Sequence, residues 1–556
     1  MNQLAAFALV AEEYEKTGDA ILGMAPLFDT VIAERAGQPF EPAWFASRFA
    51  ELFGRAMSPT IAQALCERLE EAKLLERHQL TDGSYVLLCS PKGRVNSSLT
   101  ENHIQEIAET FVDFSAGLLE KLGHHKSKQS LADDFLQRIA KPEFTSIFLV
   151  PERKVRFSRV LSLKGTKHPA REWSLNQAVD YLVADFVLKL SESEGDSFDR
   201  LASIAYGALL ADAVSALAEP PRANSEDRLR VVIDGPILLD ALNLNTESNR
   251  EYAIGLIDLF KSSGLMLVTF DHVIDEMQRL IERTLESYTR GDAFGPLAAR
   301  IRSTRGHALY ARTVASSLQT HVKDLGVTTL FSDKYLDPPH INFFSTVEED
   351  LLRNALGEVH ENLGPRIVDA RSIATVIRLK RDNQRSSSAL DSGTVFLTRN
   401  SALVRRTETY LGRGQSEPRP RFTIMSDGQL ASLLWFHNGS SGSHLSKQRL
   451  IANCANAALT RLDVVERMTE TLDRLGGDHR AQFEMLMRDK RASLCPMRLT
   501  AGYANAITED GAIAVLDEMR RVVATPFVEQ VRSDAESRIG EVRLKLQSSE
   551  KRTLID

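Results

Sequence analysis

The hydrophobic rhythm of the chain changes twice. Up to about residue 220 apolar positions recur mainly at the three- and four-residue spacing of helices. Between 229 and 436 short unbroken apolar runs alternate with helical segments, and from about 445 the helical spacing returns. In the first part, "ILGMAPLFDTVIAERAG" and "PAWFASRFAELFG" predict helices, and "TIAQALCERLEEAKLL" predicts a third, with Ser58 as its N-cap and Pro59 at its first position. The runs "LERHQL" and "YVLLC" flank the turn "TDGS" and predict a hairpin. Beyond it, "LTENHIQEIAETFVDFSAGLLEKLG", "WSLNQAVDYLVADFVLKL" and "FDRLASIAYGALLADAVSALA" predict long amphipathic helices. The stretch "TSIFLVPERKVRFSRVLSLKG" between them has strand character. "EPPRANSEDR" (219–228) is a linker by composition.

The middle part reads differently. "LRVVID", "LMLVTF", "TVFLTR" and "RFTIMS" are strand-like and alternate with helices such as "EYAIGLIDLFKSSG", "HVIDEMQRLIERTLES" and "RIVDARSIATVIRLKRD", the pattern of a parallel α/β sheet. A mostly helical stretch from about 285 to 360 separates the second strand from the later ones, with a loop at "SDKYLDPPHINFF". "NGSSGSHLSK" (438–447) has the composition of a flexible linker. Helices with heavily charged faces follow, "VVERMTETLDRLGG" among them, whose apolar stripe needs a partner. No internal repeat is visible. The expected architecture is multidomain and predominantly α with one α/β domain: units at 1–95, 96–225, 229–437 (with the long helical insertion) and 445–556.

Three helices and a β-wing over roughly 20–90 resemble a winged helix-turn-helix domain. The third helix would then be the recognition helix. Its apolar face takes Ile61, Leu65, Leu69 and Leu74, and its other face carries Thr60, Gln63, Glu67, Glu70 and Glu71. Glutamates oppose a phosphate field, and Arg55, Arg68, Lys73 and Arg77 offset them only in part. Protein contact or a structural role is therefore favoured over duplex binding.

Composition narrows the class. The 556 residues suggest about three to four domains, and apolar (43%) and charged (26%) fractions are those of ordinary globular protein. The net charge of −7 gives no global basic field that would advertise nucleic-acid binding, although a local basic groove is compatible with it. Cys66, Cys89, Cys454 and Cys495 form no CxxC pair or metal-ligand spacing and read as reduced thiols, which suits a cytoplasmic protein. "MNQLAAFALVAEEYEK" lacks the basic start of a signal peptide, and no window has the length of uncharged apolar sequence that a membrane span needs. His124 and His125 are adjacent, so they do not face one ligand point, and their basic flank argues against a metal.

The candidate chemistry lies in acids that follow strands. Asp234 ends "VVID", Glu276 lies one turn into the helix after the second strand, Asp369 opens "VDARSIATVIRL", and Asn400 follows "VFLTR". Each position is near the carboxyl end of a strand or the start of a helix, where α/β sheets gather their sites. Each also has a plainer reading as a helix cap or a solvated acid. Asp275 competes with Glu276, Asp240 is a further candidate, and capping is the favoured role for Asp271 and Asp427.

In "VVIDGPILLDAL", "FDHVIDEMQRLI", "IVDARSIATVI" and "FLTRNSALVRR" the chain resembles the PIN-domain family over about 229–436. That resemblance implies a metal-dependent nuclease, of RNA before DNA, that takes Mg²⁺ or Mn²⁺. Asp234, Glu276 and Asp369 would be its metal ligands and Asn400 a fourth catalytic position. Asn400 stands where the family's pattern carries Asp, which lowers the site's charge but keeps an amide oxygen. Hard divalent cations take oxygen ligands, and clustered carboxylates favour a cation that relieves their repulsion. Arg399, Arg405 and Arg406 lie beside these positions and would hold phosphates. By analogy the arrangement suits a toxin or defence effector. The alternatives are a non-catalytic nucleic-acid-binding or assembly protein with a degenerate PIN-like fold, or a winged-helix transcription regulator. Self-association or a protein partner through the N- and C-terminal helical regions is expected in either case.

Overall fold

The computed structural model describes residues 3–55, 57–81, 83–92, 98–122, 126–140, 175–193, 195–213, 229–290, 293, 295–359, 363–381, 389–412, 420–438 and 440–553. The strand-like stretch 145–165, His124, His125 and the linker 219–228 lie outside them. The described protein is α-rich and holds a parallel sheet of five strands. No described helix is long and apolar enough to cross a membrane.

Near the N-terminus, helices Ala25–Ile32 and Pro42–Phe53 precede the antiparallel pair β1 (Leu75–Gln79) and β2 (Tyr85–Cys89). The expected third helix is two short ones, Pro59–Ala64 and Cys66–Glu71, joined at Leu65. Ser58 caps the first of them through a bond from the Ile61 N–H. Its apolar face is buried as expected, through Ile61, Leu65, Leu69 and Leu74. The second ends in a Schellman turn: Lys73 N–H bonds Glu70 O, Leu74 N–H bonds Leu69 O, and Lys73 takes a left-handed φ of 55°. Arg55 does not offset the helix's glutamates. It is buried and paired with Asp212 at 2.8 Å.

Helix Gln3–Thr17 packs along helix Asp196–Ala213. Their approach is close enough that a Cβ on Gly207 would lie 1.8 Å from the Phe7 carbonyl oxygen, so glycine is required there. These two helices, with Ser98–Lys121, Lys128–Ala140 and Leu175–Glu192, form a helical body.

The sheet contains β3 (Arg230–Ile233), β4 (Met266–Phe270), β5 (Thr328–Leu330), β6 (Thr394–Thr398) and β7 (Ile424–Ser426) in the order β5-β4-β3-β6-β7, all parallel. Four of these were legible in the sequence. β5 was not, because it is a three-residue edge strand with no buried residue inside the stretch read as a helical insertion. Its pairing with β4 makes that stretch part of the sheet's own connectivity. The chain leaves β3 towards β4 and β5, then returns past β3 to β6. The strand order therefore reverses between β3 and β6, and such a reversal opens a crevice at the carboxyl ends of the two strands.

The C-terminal region is not a loosely tethered unit. Helix Asp427–Asn438 is followed after four residues by helix Ser443–Ala457, which packs on helices Glu247–Ser262, Leu175–Glu192 and Asp196–Ala213. The described residues of the expected flexible linker are tied down by two distant tyrosines. Tyr14 donates to the Trp435 and Ser440 carbonyls, the Gly442 N–H donates to Tyr206 Oη, and a Cβ on Gly442 would lie 2.3 Å from the Trp435 ring. Beyond it, helix Glu509–Thr553 is buried through Met519, whereas Phe527, Val528 and Val531 are well exposed.

Candidate active site at the carboxyl edge of the sheet

Asp234 follows β3 directly and caps helix Gly235–Ala241. Its Oδ1 accepts the Gly235 N–H at 2.8 Å, while Oδ2 accepts the Thr398 hydroxyl at 2.7 Å. The cap and the site readings therefore coincide in one side chain. Thr398 ends the neighbouring strand β6, so this bond spans the reversal point of the sheet. The Thr398 oxygen also accepts the Asn400 N–H at 3.1 Å. Asn400 itself caps helix Ser401–Gly412, its Oδ1 accepting the Leu403 N–H at 3.1 Å.

Glu276 is half-buried on helix Asp271–Arg290, whereas Asp275 is exposed. That helix packs against the start of helix Gly235–Ala241. A Cβ on Gly235 would meet Met277 Cγ at 3.2 Å and Val273 Cγ1 at 3.4 Å, so the backbone beside Asp234 lies against the turn that carries Glu276. Asp369 is buried, at 9% exposure. It does not open its helix. The helix runs Leu363–Leu379, and Asp369 lies well inside it. Pro365 falls in the first turn, where a missing N–H costs nothing. Helix Leu363–Leu379 packs on both β6 and helix Asp271–Arg290. The Glu276 helix thus adjoins both the helix that Asp234 caps and the Asp369 helix, which itself lies on β6. Among the described residues, no three His, Cys, Asp or Glu side chains are gathered at the spacing a metal ion requires.

The basic residues separate. Arg399 is turned into the core at 6% exposure. Its Nη1 donates to Asp240 Oδ2 at 2.5 Å, its Nη2 to Asn453 Oδ1 at 2.7 Å, and its guanidinium lies 5.3 Å from the centre of the Tyr252 ring. Arg399 and Asp240 therefore belong to a buried network and not to a phosphate-facing surface. Asn245 donates to Asp240 Oδ1 at 2.5 Å. Asp427, after β7, is more than a cap: beyond the Gly428 N–H, its carboxylate accepts Tyr252 Oη at 2.7 Å and Arg449 Nη2 at 3.1 Å. Burial works to raise the Asp427 carboxyl, but Arg449 and Arg399 beside it hold it below the usual carboxylate range. Arg406 is half-buried and donates to the Ala355 carbonyl at 2.9 Å, while Arg405 lies on the exposed side of its helix.

A polar cluster at the same edge went unread in the sequence. Asp271 Oδ1 accepts both the Ser332 N–H at 3.0 Å and the Ser332 hydroxyl at 2.9 Å. His272 Nδ1 is 3.1 Å from Ser332 Oγ, and its Nε2 is 2.9 Å from Ser372 Oγ. The only local sign was the pair Asp271-His272 directly after an apolar strand, and nothing in the spacing marked the two serines. Comparison of the chain with family models, with curated proteins and with solved structures finds no match.

Proposed function

We propose that the protein is a metal-dependent phosphodiesterase acting on nucleic acid, RNA before DNA, with its site at the crevice between β3 and β6. The observation that carries this reading is the position of Asp234. It is held from one side by Thr398 at the strand reversal, the Glu276 helix packs against the helix that Asp234 caps, and the Asp369 helix packs on the Glu276 helix and on β6. Asp234, Glu276 and Asp369 offer only hard oxygen donors, the set that Mg²⁺ or Mn²⁺ takes. Such an ion, when bound, acidifies a water and stabilises developing charge on the phosphate. The chain's own part is to fix the Asp234 carboxylate from Gly235 and Thr398, to hold the Asn400 N–H on the same Thr398 hydroxyl, and to offer Arg405 on the adjoining helix to a phosphate. The N-terminal helices with their hairpin, and the helical body, would select or restrain the target.

A second reading has its own support. Asn400 Oδ1 is engaged as a helix cap, and the acids are not gathered as a ligand group. Both favour a non-catalytic nucleic-acid-binding or assembly protein with the same sheet. The deciding experiment is cleavage of labelled single-stranded RNA with and without Mn²⁺, together with Mn²⁺ titration by calorimetry, on wild type and Asp234→Asn. Asparagine keeps most of the capping ability. Cleavage and metal binding that are lost in a well-folded variant support the nuclease. Absence of both in wild type removes it.

A further inference from the structure

His272 joins the two helices that carry Glu276 and Asp369. It is the second residue of helix Asp271–Arg290, one turn before Glu276, and its partner Ser372 lies one turn after Asp369 on helix Leu363–Leu379. Its other partner, Ser332, follows the edge strand β5. One imidazole therefore ties the exits of two strands to the interior of the helix that precedes a third.

The proton count along this chain fixes the tautomer. The Asp271 carboxylate only accepts, so Ser332 spends its one hydroxyl proton on Oδ1. The Ser332 oxygen then accepts from His272 Nδ1–H, which leaves Nε2 bare to accept the Ser372 hydroxyl. Each donor meets one acceptor. Burial is the first cause that lowers the His272 pKa, to about 4, and the charge of Arg371 adds to it, whereas Asp271 opposes it. Asp333, from the turn after β5, pairs with Arg371 at 2.7 Å. The imidazole is thus neutral around pH 7. The Phe270 ring stacks on it, with centroids 5.3 Å apart.

We propose that His272 is a positioning residue of the candidate site: held with its proton on Nδ1, it fixes the rotation of the Asp369 helix against the Glu276 helix through Ser372. An apolar residue would fill the space but leave that rotation free, and one residue of slip turns a helix by about 100°. Ser372 and Asp369 share a face, so a bond that holds the first holds the second. This inference rests on reading the acids as one site.

The test uses the full chain. Ser372→Ala removes the proton that Nε2 accepts, and Ser372→Thr retains it. Four quantities are read: the ¹⁵N shifts of the His272 ring, hydrogen exchange over 271–290 and 363–379, Mn²⁺ affinity by calorimetry, and Tm. The expected wild-type ring carries its proton on Nδ1 between pH 6 and 8 (on the order of a unit either side of neutral). The alanine variant should lose about 2–4 °C in Tm, exchange faster over 363–379, and bind Mn²⁺ roughly 10- to 100-fold more weakly, with threonine restoring all three. A ring protonated on Nε2, or an alanine variant with unchanged exchange, overturns the proposal. So does an alanine variant that keeps wild-type affinity where wild type binds Mn²⁺. If wild type binds no Mn²⁺ and cuts no RNA, the nuclease reading alone fails, and the ring tautomer and the exchange still decide whether His272 sets the helix.

Discussion

The Thr398 hydroxyl donates to Asp234 Oδ2 at 2.7 Å and joins the carboxyl ends of β6 and β3 at the point where the strand order reverses. Thr398→Val keeps the shape and removes that donor, as well as the acceptor of the Asn400 N–H. Asp234 and the Asn400 N–H then each lose a bond at a buried or half-buried position, at a cost of about 1–3 kcal/mol. Urea denaturation should show that loss, and Thr398→Ser should recover most of it. A valine variant as stable as wild type would mean that Asp234 is held elsewhere.

Arg399 and Arg405 should behave oppositely. Removing Arg399 leaves Asp240 charged and uncompensated in the core, which typically costs about 3–5 kcal/mol. Arg399→Met is therefore expected to fold poorly, with no separate effect on nucleic-acid affinity. Arg405→Ala should leave Tm nearly unchanged, weaken RNA binding across sequences and lower the salt slope by about one. Unaltered RNA affinity in a protein that binds RNA would remove Arg405 from the phosphate path.

Lys380 gives a pH dependence with a definite sign. It is 1% exposed and donates to the Phe422 carbonyl at 3.1 Å, and burial pushes its amine down to about 7. Between that value and the ordinary lysine value of 10.5, the unfolded chain holds a proton that the folded chain has released. Stability should therefore rise with pH through that window and fall as pH drops towards neutral. Lys380→Met should flatten the slope of unfolding free energy from about pH 7.5 to 10. An identical slope in the variant would show that the amine is charged in the fold.

Lys73 holds a left-handed backbone that favours glycine, and its side chain is exposed. Lys73→Gly should stabilise the turn into β1 by about 0.5–1 kcal/mol. Thermal melting reads this directly, and a lower Tm would mean that the lysine side chain makes compensating contacts.

The exposed Phe527, Val528 and Val531 stripe predicts self-association through the last helix. A truncation that tests it must keep Arg449 and Asn453, whose loss from the buried network should unfold the sheet region. Truncation after Thr525 spares every residue of that helix that is buried among the described side chains. Light scattering should show fewer chains per particle than in the full-length protein, at unchanged Tm. The same number of chains per particle would place the association elsewhere or exclude it.

What the sequence settled by itself was local. Unbroken apolar runs marked β3, β4, β6 and β7, because a strand covered on both faces must be apolar at successive positions. Asp234 stood out because a charge at the end of such a run needs a reason. Capping and turn residues set several helix ends, since their bonds reach only three or four residues. The tertiary structure decided whatever depends on partners far along the chain. β5 exists because β4 pairs with it, not because three residues prefer to be extended. Arg399 points inward because Asp240 lies 159 residues before it and Asn453 lies 54 after it. Ser440 and Gly442 in the Gly- and Ser-rich stretch are held because Tyr14 and Tyr206, hundreds of residues earlier in the chain, bond to them. His272, Ser332 and Ser372 carry no shared spacing, and they meet only because the exits of β4 and β5 lie against the middle of the helix before β6. Periodicity reports which face of an element is buried. It carries no information about which distant polar group will be waiting there, and burial makes that second choice the costly one.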